Sequence, residues 1–257
     1  MTHIVGLTLS GGGARAVAHL GLLQYLEEQK IAIQVLSGTS AGALIATLWT
    51  GGYAARDILE IIQSFSFGKI LQLSFQKGFL NQKKLKETLK NFFPENDFAA
   101  LSKKVFVACT DLKSTQSVYF SEGKLIEPLL GTLAIAPLMK PVDFEDYQLL
   151  DGGILDNLPT KAICKHCDFL IASHSNPASH KATQTMREAI EKSFLLAIAQ
   201  NTQESKKLAD FCFEPPALAN FRFTDLKKAK EIYEIAYLYA QEKQIFAENS
   251  FGNENRG

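Results

Sequence analysis

Val35-Leu36-Ser37-Gly38-Thr39-Ser40-Ala41-Gly42 is a short apolar run that ends in Gly-x-Ser-x-Gly, and a helix-length apolar segment, Ala43–Thr50, follows it. Strand, tight turn and helix form the context in which this motif becomes a nucleophile elbow, with the serine on a strained turn at the end of a strand. Gly38 and Gly42 let the backbone make such a turn without Cβ clashes. A serine hydroxyl is a weak nucleophile unless a neighbour takes its proton. Catalysis at Ser40 therefore requires a base and a set of oxyanion donors from elsewhere in the chain.

One strand earlier, Ile4–Leu9 leads into Ser10-Gly11-Gly12-Gly13-Ala14-Arg15-Ala16, and a helix is expected over Ala14–Gln29 from the spacing of Val17, Leu20, Leu23 and Leu26. Consecutive glycine N–H groups at a helix N-terminus form a concavity for an anion, either a phosphate or the oxyanion of a tetrahedral intermediate. Gly11-x-Gly13-x-x-Ala16 also fits the looser dinucleotide fingerprint, but that use needs an acidic residue at the end of the second strand. The second strand, Ile31–Leu36, runs into Ser37-Gly38-Thr39-Ser40 and has none. A purely structural turn with close strand–helix packing is the remaining alternative. In a parallel sheet the two glycine loops would share the carboxyl edge, where ligands bind.

A third short strand, Tyr147–Leu150, delivers Asp151-Gly152-Gly153, either an ordinary Asp-Gly turn or a base brought close to Ser40. His174 and His180 follow in the chain order of a Ser-Asp-His triad, and surface or structural roles are the alternative for both. Cys164-Lys165-His166-Cys167 falls in an expected short helix, Thr160–His166, with no second close-spaced pair, so free thiols are expected rather than a zinc or redox site. Ser64–Leu80, with Phe65, Phe67, Phe75 and Phe79, reads as an acyl-chain groove or lid, or as core packing under a long loop.

The formal net charge is +0, from 27 basic and 27 acidic residues, which leaves no electrostatic footprint for nucleic acid. No apolar run reaches the length of a membrane-spanning helix, the first residues lack the pattern of a signal peptide, and four cysteines fit a reduced, cytoplasmic protein. Further helices are expected at Ala43–Leu48, Ala55–Gln63, Asn81–Phe93 with Asn81 as N-cap, Glu127–Ala136 stopped near Pro137, Thr183–Lys207 and Asp225–Phe246. Further strands are expected at Val105–Cys109, Ser117–Phe120 as its hairpin partner, and Phe169–Ala172. The alternation implies an α/β fold with a mostly parallel central sheet, helices on both faces and a helical C-terminal extension. Residues 1–215 form the expected main domain, and residues 216–257 a helix packed on it plus a disordered tail.

Together four segments resemble the patatin-like phospholipase family: Gly11-Gly12-Gly13-Ala14-Arg15, Gly38-Thr39-Ser40-Ala41-Gly42, Ala108-Cys109-Thr110-Asp111-Leu112, and Asp151-Gly152-Gly153 with Ile154-Leu155-Asp156-Asn157-Leu158-Pro159. Their order and spacing agree over roughly residues 4–175. Ala16 stands where the family usually has a glycine, and Gly131–Val142 keeps the family's small-residue stretch only loosely. The resemblance implies a three-layer fold and a Ser-Asp dyad, with Ser40 as nucleophile, Asp151 as base and no histidine required. It implies an oxyanion hole from Gly11, Gly12, Gly13 and Ala41, support from Arg15, Gly38, Gly42, Gly152 and Gly153, and no metal or cofactor. Arg15 would hold the loop's shape or meet an anionic head group. The implied substrate is a fatty acyl ester of a phospholipid or lysophospholipid, cleaved through an acyl-enzyme during transient contact with a membrane surface. A carboxylesterase or thioesterase acting on a soluble substrate, a non-catalytic lipid-binding or regulatory protein, and a nucleotide-binding protein are the alternatives.

Overall fold

The computed structural model describes residues 3–64, 82–136, 139–178 and 182–244. Among them an eight-stranded mixed sheet carries the fold. Its strands are β1 (Val5–Leu9), β2 (Val35–Thr39), β3 (Lys104–Asp111), β4 (Gln116–Phe120), β5 (Val142–Phe144), β6 (Tyr147–Asp151), β7 (Phe169–Ser173) and β8 (Phe211–Phe213). The order is β5-β6-β3-β2-β1-β7-β8, with β4 also paired to β3. From β3 to β8 all neighbours are parallel, whereas β4 and β6 pair with β3 antiparallel and β5 pairs with β6 antiparallel.

Strand residues alternate between faces. Leu7, Leu36, Val105 and Ile171 point into the main core, where α1 (Ala18–Glu28), α2 (Ala41–Thr50) and α7 (Ala229–Lys243) contribute apolar faces. Val35, Phe106 and Leu170 form a smaller apolar cluster with Ile163 and Cys167. The turns after Pro159 lie there, tied through Thr160 Oγ1 to the carbonyl of Ser205 in α6 (Met186–Lys207). The remaining α-helices among the described residues are α3 (Ala55–Gln63), α4 (Gln82–Phe92) and α5 (Ile126–Thr132).

One topological detail positions everything that follows. β2 pairs with β3 from Lys104 to Ala108, and β6 pairs with β3 from Cys109 to Asp111. The other edge of β3 is taken by β4 from Val107 to Asp111. A strand has only two edges, so β6 takes over at Cys109 the edge that β2 leaves at Ala108. The two strands run head to head, and the carboxyl end of β6, at Asp151, abuts the carboxyl end of β2, at Thr39. Gly152 is required at this junction, because a Cβ there would collide with the Ala108 carbonyl oxygen.

Four departures from the sequence reading have local causes. β2 begins at Val35 rather than Ile31, because the Gln34 side chain and backbone are spent on Val5. Ala14–Val17 belong to a tight 3-10 turn, Gly13–Val17, that precedes α1, since Ala14 N–H is drawn to the Phe223 carbonyl. The helix expected at Thr160–His166 is only a 3-10 turn, Thr160–Ala162. Beyond it the chain must bring Cys167 against Gly6 and the Asp168 carboxylate onto the Ile4 N–H to start β7. The three-residue strands β5 and β8 are too short to show a period. The groove or lid expected over Ser64–Leu80 lies, beyond Ser64, outside the described residues, as do Asn81, Pro137, His180 and the C-terminal tail.

Helix α7 buries Ala229, Ile232, Ala236 and Ala240. At Gly21 on α1 a Cβ would stand 2.5 Å from the Tyr233 carbonyl oxygen and 2.6 Å from the Tyr237 nitrogen of α7. Helix propensity alone predicts that Gly21→Ala stabilises by about 1 kcal/mol. The backbone clash predicts the opposite, a net loss of about 1–3 kcal/mol from overpacking, read as a lower urea midpoint.

Candidate active site

Ser40 follows β2 and caps α2 with φ 54° and ψ −127°. Backbone of this kind is strained for a residue with a side chain and persists only where the surroundings over-determine it. Here the Ser40 N–H donates to Thr132 Oγ1 at 2.7 Å, and the Thr132 hydroxyl donates to the Ala108 carbonyl at 2.6 Å. Gly42 is needed two residues on, since a Cβ there would run into the Leu9 carbonyl oxygen, and Gly38 packs on the Ala43 backbone.

The Ser40 hydroxyl donates to Asp151 Oδ2 at 2.6 Å. Asp151 Oδ1 accepts the Gly153 N–H at 2.7 Å, its backbone N–H donates to the Ala134 carbonyl, and its own carbonyl accepts Thr110 Oγ1. Ser40 and Asp151 are 6% and 4% exposed. Burial pushes the Asp151 carboxyl up to about 6, while the hydrogen bonds from Ser40 and Gly153 pull the other way. The result is a carboxylate with more proton affinity than a solvated one, already in contact with the proton it would take.

The glycine loop faces this pair: a Cβ on Gly11 would sit 3.1 Å from Ser40 Cβ. Gly11, Gly12, Gly13, Ser40, Ile135, Asp151, Asn157, Ile198 and Phe223 line one cavity of about 100 Å³. The Gly11 N–H, expected as an oxyanion donor, is committed to the Asn157 carbonyl at 3.1 Å. Among the described residues the N–H groups of Gly12, Gly13 and Ala41 carry no such bond, and Ala41 opens α2, where the helix dipole favours negative charge. Arg15 is 3% exposed, donates through Nε to the Phe221 carbonyl at 2.7 Å and stacks over Phe223. These contacts tie Arg15 to residues 221–223.

His174 is buried away from the dyad's hydrogen bonds: Nδ1 lies 2.7 Å from Glu214 Oε1, and Lys206 Nζ reaches both Glu214 oxygens at 2.8 Å. Burial lowers the His174 pKa. Burial would raise Glu214, yet the bonds from His174 and Lys206 bring it down to about 2. His19 joins Ser173 and the Ser10 carbonyl, and burial takes it down to about 4, so it is a neutral brace. The four cysteines are free thiols. Among the described residues no group of three or more His, Cys, Asp or Glu side chains gathers as metal ligands, and no helix is long and apolar enough to cross a membrane.

The sequence profile of the family described as patatin-like phospholipase matches residues 7–163. The chain belongs to that family. It is 26% identical over 279 residues to lysophospholipase NTE1 of Kluyveromyces lactis, covering 93% of this chain and 19% of that protein. It is 24% identical over 278 residues to lysophospholipase NTE1 of Saccharomyces cerevisiae, covering 92% and 16%. An NTE family protein of Mycobacterium tuberculosis is 26% identical over 167 residues, covering 64% and 29%. The chain therefore spans less than a third of the length of these curated relatives. Among solved structures, VipD of Legionella pneumophila shares 14% identity with a TM-score of 0.49, over 90% of this chain and 67% of that one.

Within this patatin-like domain Ser40, Asp151 and the glycine loop line one cavity, whereas Thr132, which holds the Ser40 N–H, carries no sequence signal. It lies in the stretch Gly131–Val142 that departs from the family pattern. The raised Asp151 pKa has a consequence for stability. Between the unfolded value of 3.8 and about 6 the folded state binds the extra proton, so stability falls as pH rises through this window and the penalty is complete above it. Asp151→Asn, isosteric with the protonated acid, should be as stable as the parent at pH 4. By pH 8 it should be more stable by about 3 kcal/mol, measured by urea unfolding at both pH values.

Proposed function

We propose that the protein is a serine acyl hydrolase in which Ser40 and Asp151 form a dyad that cleaves fatty acyl esters of phospholipids or lysophospholipids. The observation that carries this reading is the 2.6 Å hydrogen bond from Ser40 Oγ to Asp151 Oδ2 with no described histidine on either partner. Family membership and the lysophospholipase relatives support the substrate class.

In the first half-reaction Ser40 Oγ bonds to the ester carbonyl carbon while its proton passes to Asp151 Oδ2. The carbonyl π pair becomes an oxyanion facing the N–H groups of Gly12, Gly13 and Ala41. One such donor is typically worth about 2.7–4 kcal/mol of transition-state stabilisation. The intermediate collapses, the leaving alkoxide takes the Asp151 proton and departs as the lysolipid or glycerophospho-alcohol, and an acyl-enzyme remains. Water then attacks the acyl carbon as Asp151 accepts its proton, and Ser40 leaves with that proton as the fatty acid is released.

Hydrolysis of lysophosphatidylcholine, diacyl phosphatidylcholine and a short-chain nitrophenyl ester, followed by free fatty acid or nitrophenol release, tests this reading. Ser40→Ala and Asp151→Asn should each lower kcat/KM on the order of 10⁴-fold, and a fluorophosphonate probe should label Ser40. Unchanged turnover in Ser40→Ala rejects the site, and activity on the nitrophenyl ester alone points to a soluble acyl substrate. kcat/KM should climb with pH to a plateau with a midpoint near 6, where Asp151 ionises. A loss in His174→Ala as large as that in Asp151→Asn would replace the dyad by a triad.

A further inference from the structure

The peptide unit that joins Gly11 to Gly12 is gripped by its carbonyl. Asn176 Nδ2 donates to the Gly11 oxygen at 2.6 Å, Ser175 Oγ at 3.1 Å and Asn157 Nδ2 at 3.4 Å. Ser175 is itself held, because its N–H donates to Ser10 Oγ and the two hydroxyl oxygens lie 3.1 Å apart. The preceding peptide is fixed too: His19 Nε2 donates to the Ser10 carbonyl at 2.9 Å, and the Gly11 N–H goes to Asn157.

A trans peptide points its N–H opposite its carbonyl. Donors that capture the Gly11 oxygen on one side therefore aim the Gly12 N–H to the other, away from Ser175 and Asn176, and Gly12 lines the cavity of Ser40 and Asp151. Gly12 can be nothing larger, since a Cβ would collide with Ser175 Oγ. Donors on a carbonyl also polarise the amide and strengthen its N–H as a donor.

Asn176 carries a further mark. It is 5% exposed, and its Oδ1 has no hydrogen-bond partner among the described residues. Turning the amide over would set two carbonyl oxygens 2.6 Å apart, so the orientation is determined. A buried unsatisfied acceptor is costly, and it is tolerated here beside the shortest contact to the Gly11 carbonyl.

We propose that Asn176, with Ser175 behind it, is a positioning residue of the oxyanion hole, fixing the Gly11–Gly12 peptide so that the Gly12 N–H, not that of Gly11, faces the developing oxyanion. The proposal rests on Ser40 being the nucleophile. Both residues follow β7, beyond the segment 7–163 that matches the family profile.

The test compares the full chain with Asn176→Ala on a short-chain nitrophenyl ester and on an alkyl trifluoromethyl ketone, whose hemiketal oxygen on Ser40 mimics the oxyanion. Because removal of an entire donor costs about 10²–10³ in kcat, loosening one should lower kcat about 10- to 100-fold with KM changed by less than about threefold. Ketone affinity should fall by a similar factor, and the pH midpoint of kcat/KM should stay where it is, because Asp151 keeps its partners. A folded Asn176→Ala protein with kcat within about twofold of the parent, or a loss confined to KM or accompanied by a shifted midpoint, overturns the proposal. Should Asn176→Ala fail to fold, Ser175→Ala is judged on the same readouts with an expected fall of about 3- to 10-fold. If neither folds, these residues serve the fold alone and the proposal is wrong. Turnover that survives Ser40→Ala refutes the dyad itself, whereas Ser40-dependent turnover untouched by Asn176→Ala refutes only the positioning role.

Discussion

The edge of β3 that passes from β2 to β6 is the constraint on which the site depends. Parallel pairing ends at Ala108, antiparallel pairing starts at Cys109, and the two incoming strands stop against each other. The hydroxyl at the end of one and the carboxylate at the end of the other are then 2.6 Å apart without any long connection to hold them. A parallel β6 would have carried Asp151 away from Ser40. Gly152 at this junction follows from the same crowding, since it sits against the Ala108 backbone and the Thr39 side-chain methyl, where a Cβ cannot fit.

That junction is energetically expensive. It combines a serine at φ 54° with a carboxylate that burial makes reluctant to ionise. Both are held by short, directional bonds: Thr132 on the Ser40 N–H, Ser40 and Gly153 on the Asp151 oxygens. In a site of low dielectric such bonds are stronger than in water, and an unmade one is more damaging. The burial that costs stability is also what raises the proton affinity of Asp151, the property the proposed dyad needs.

The second half of the chain supplies the rigidity of the first. Phe221 and Phe223 accept from Arg15 and Ala14, Ser175 and Asn176 hold the Gly11 carbonyl, and α7 packs against α1 directly behind the glycine loop. A glycine run has little conformational preference of its own. The loop that faces Ser40 therefore takes its shape from residues 146 to 209 positions away in sequence, all but Asn157 outside the part of the chain that the family profile covers.

Much of this was legible in the residues themselves. Gly-x-Ser-x-Gly between an apolar run and a helical run, a triple glycine one strand earlier, and Asp-Gly-Gly at a later strand end are local patterns, and local sterics is what they report. They determine that three backbone turns exist and that the chain alternates strand and helix. The helix α3 and strands β1, β3, β4 and β7 were likewise readable from the local sequence, because each spans at least five residues. Tertiary structure alone decided the rest. The antiparallel entry of β6 depends on which edge of β3 is vacant, and the loss of the helix at Thr160–His166 depends on what Gly6 must receive. The commitment of the Gly11 N–H to Asn157, and the roles of Thr132 and Asn176, depend on hydrogen bonds between residues 92 to 165 positions apart. Spacing along a chain encodes no such pairing, so the sequence marks Ser40 and Asp151 as candidates while only the fold decides what holds them.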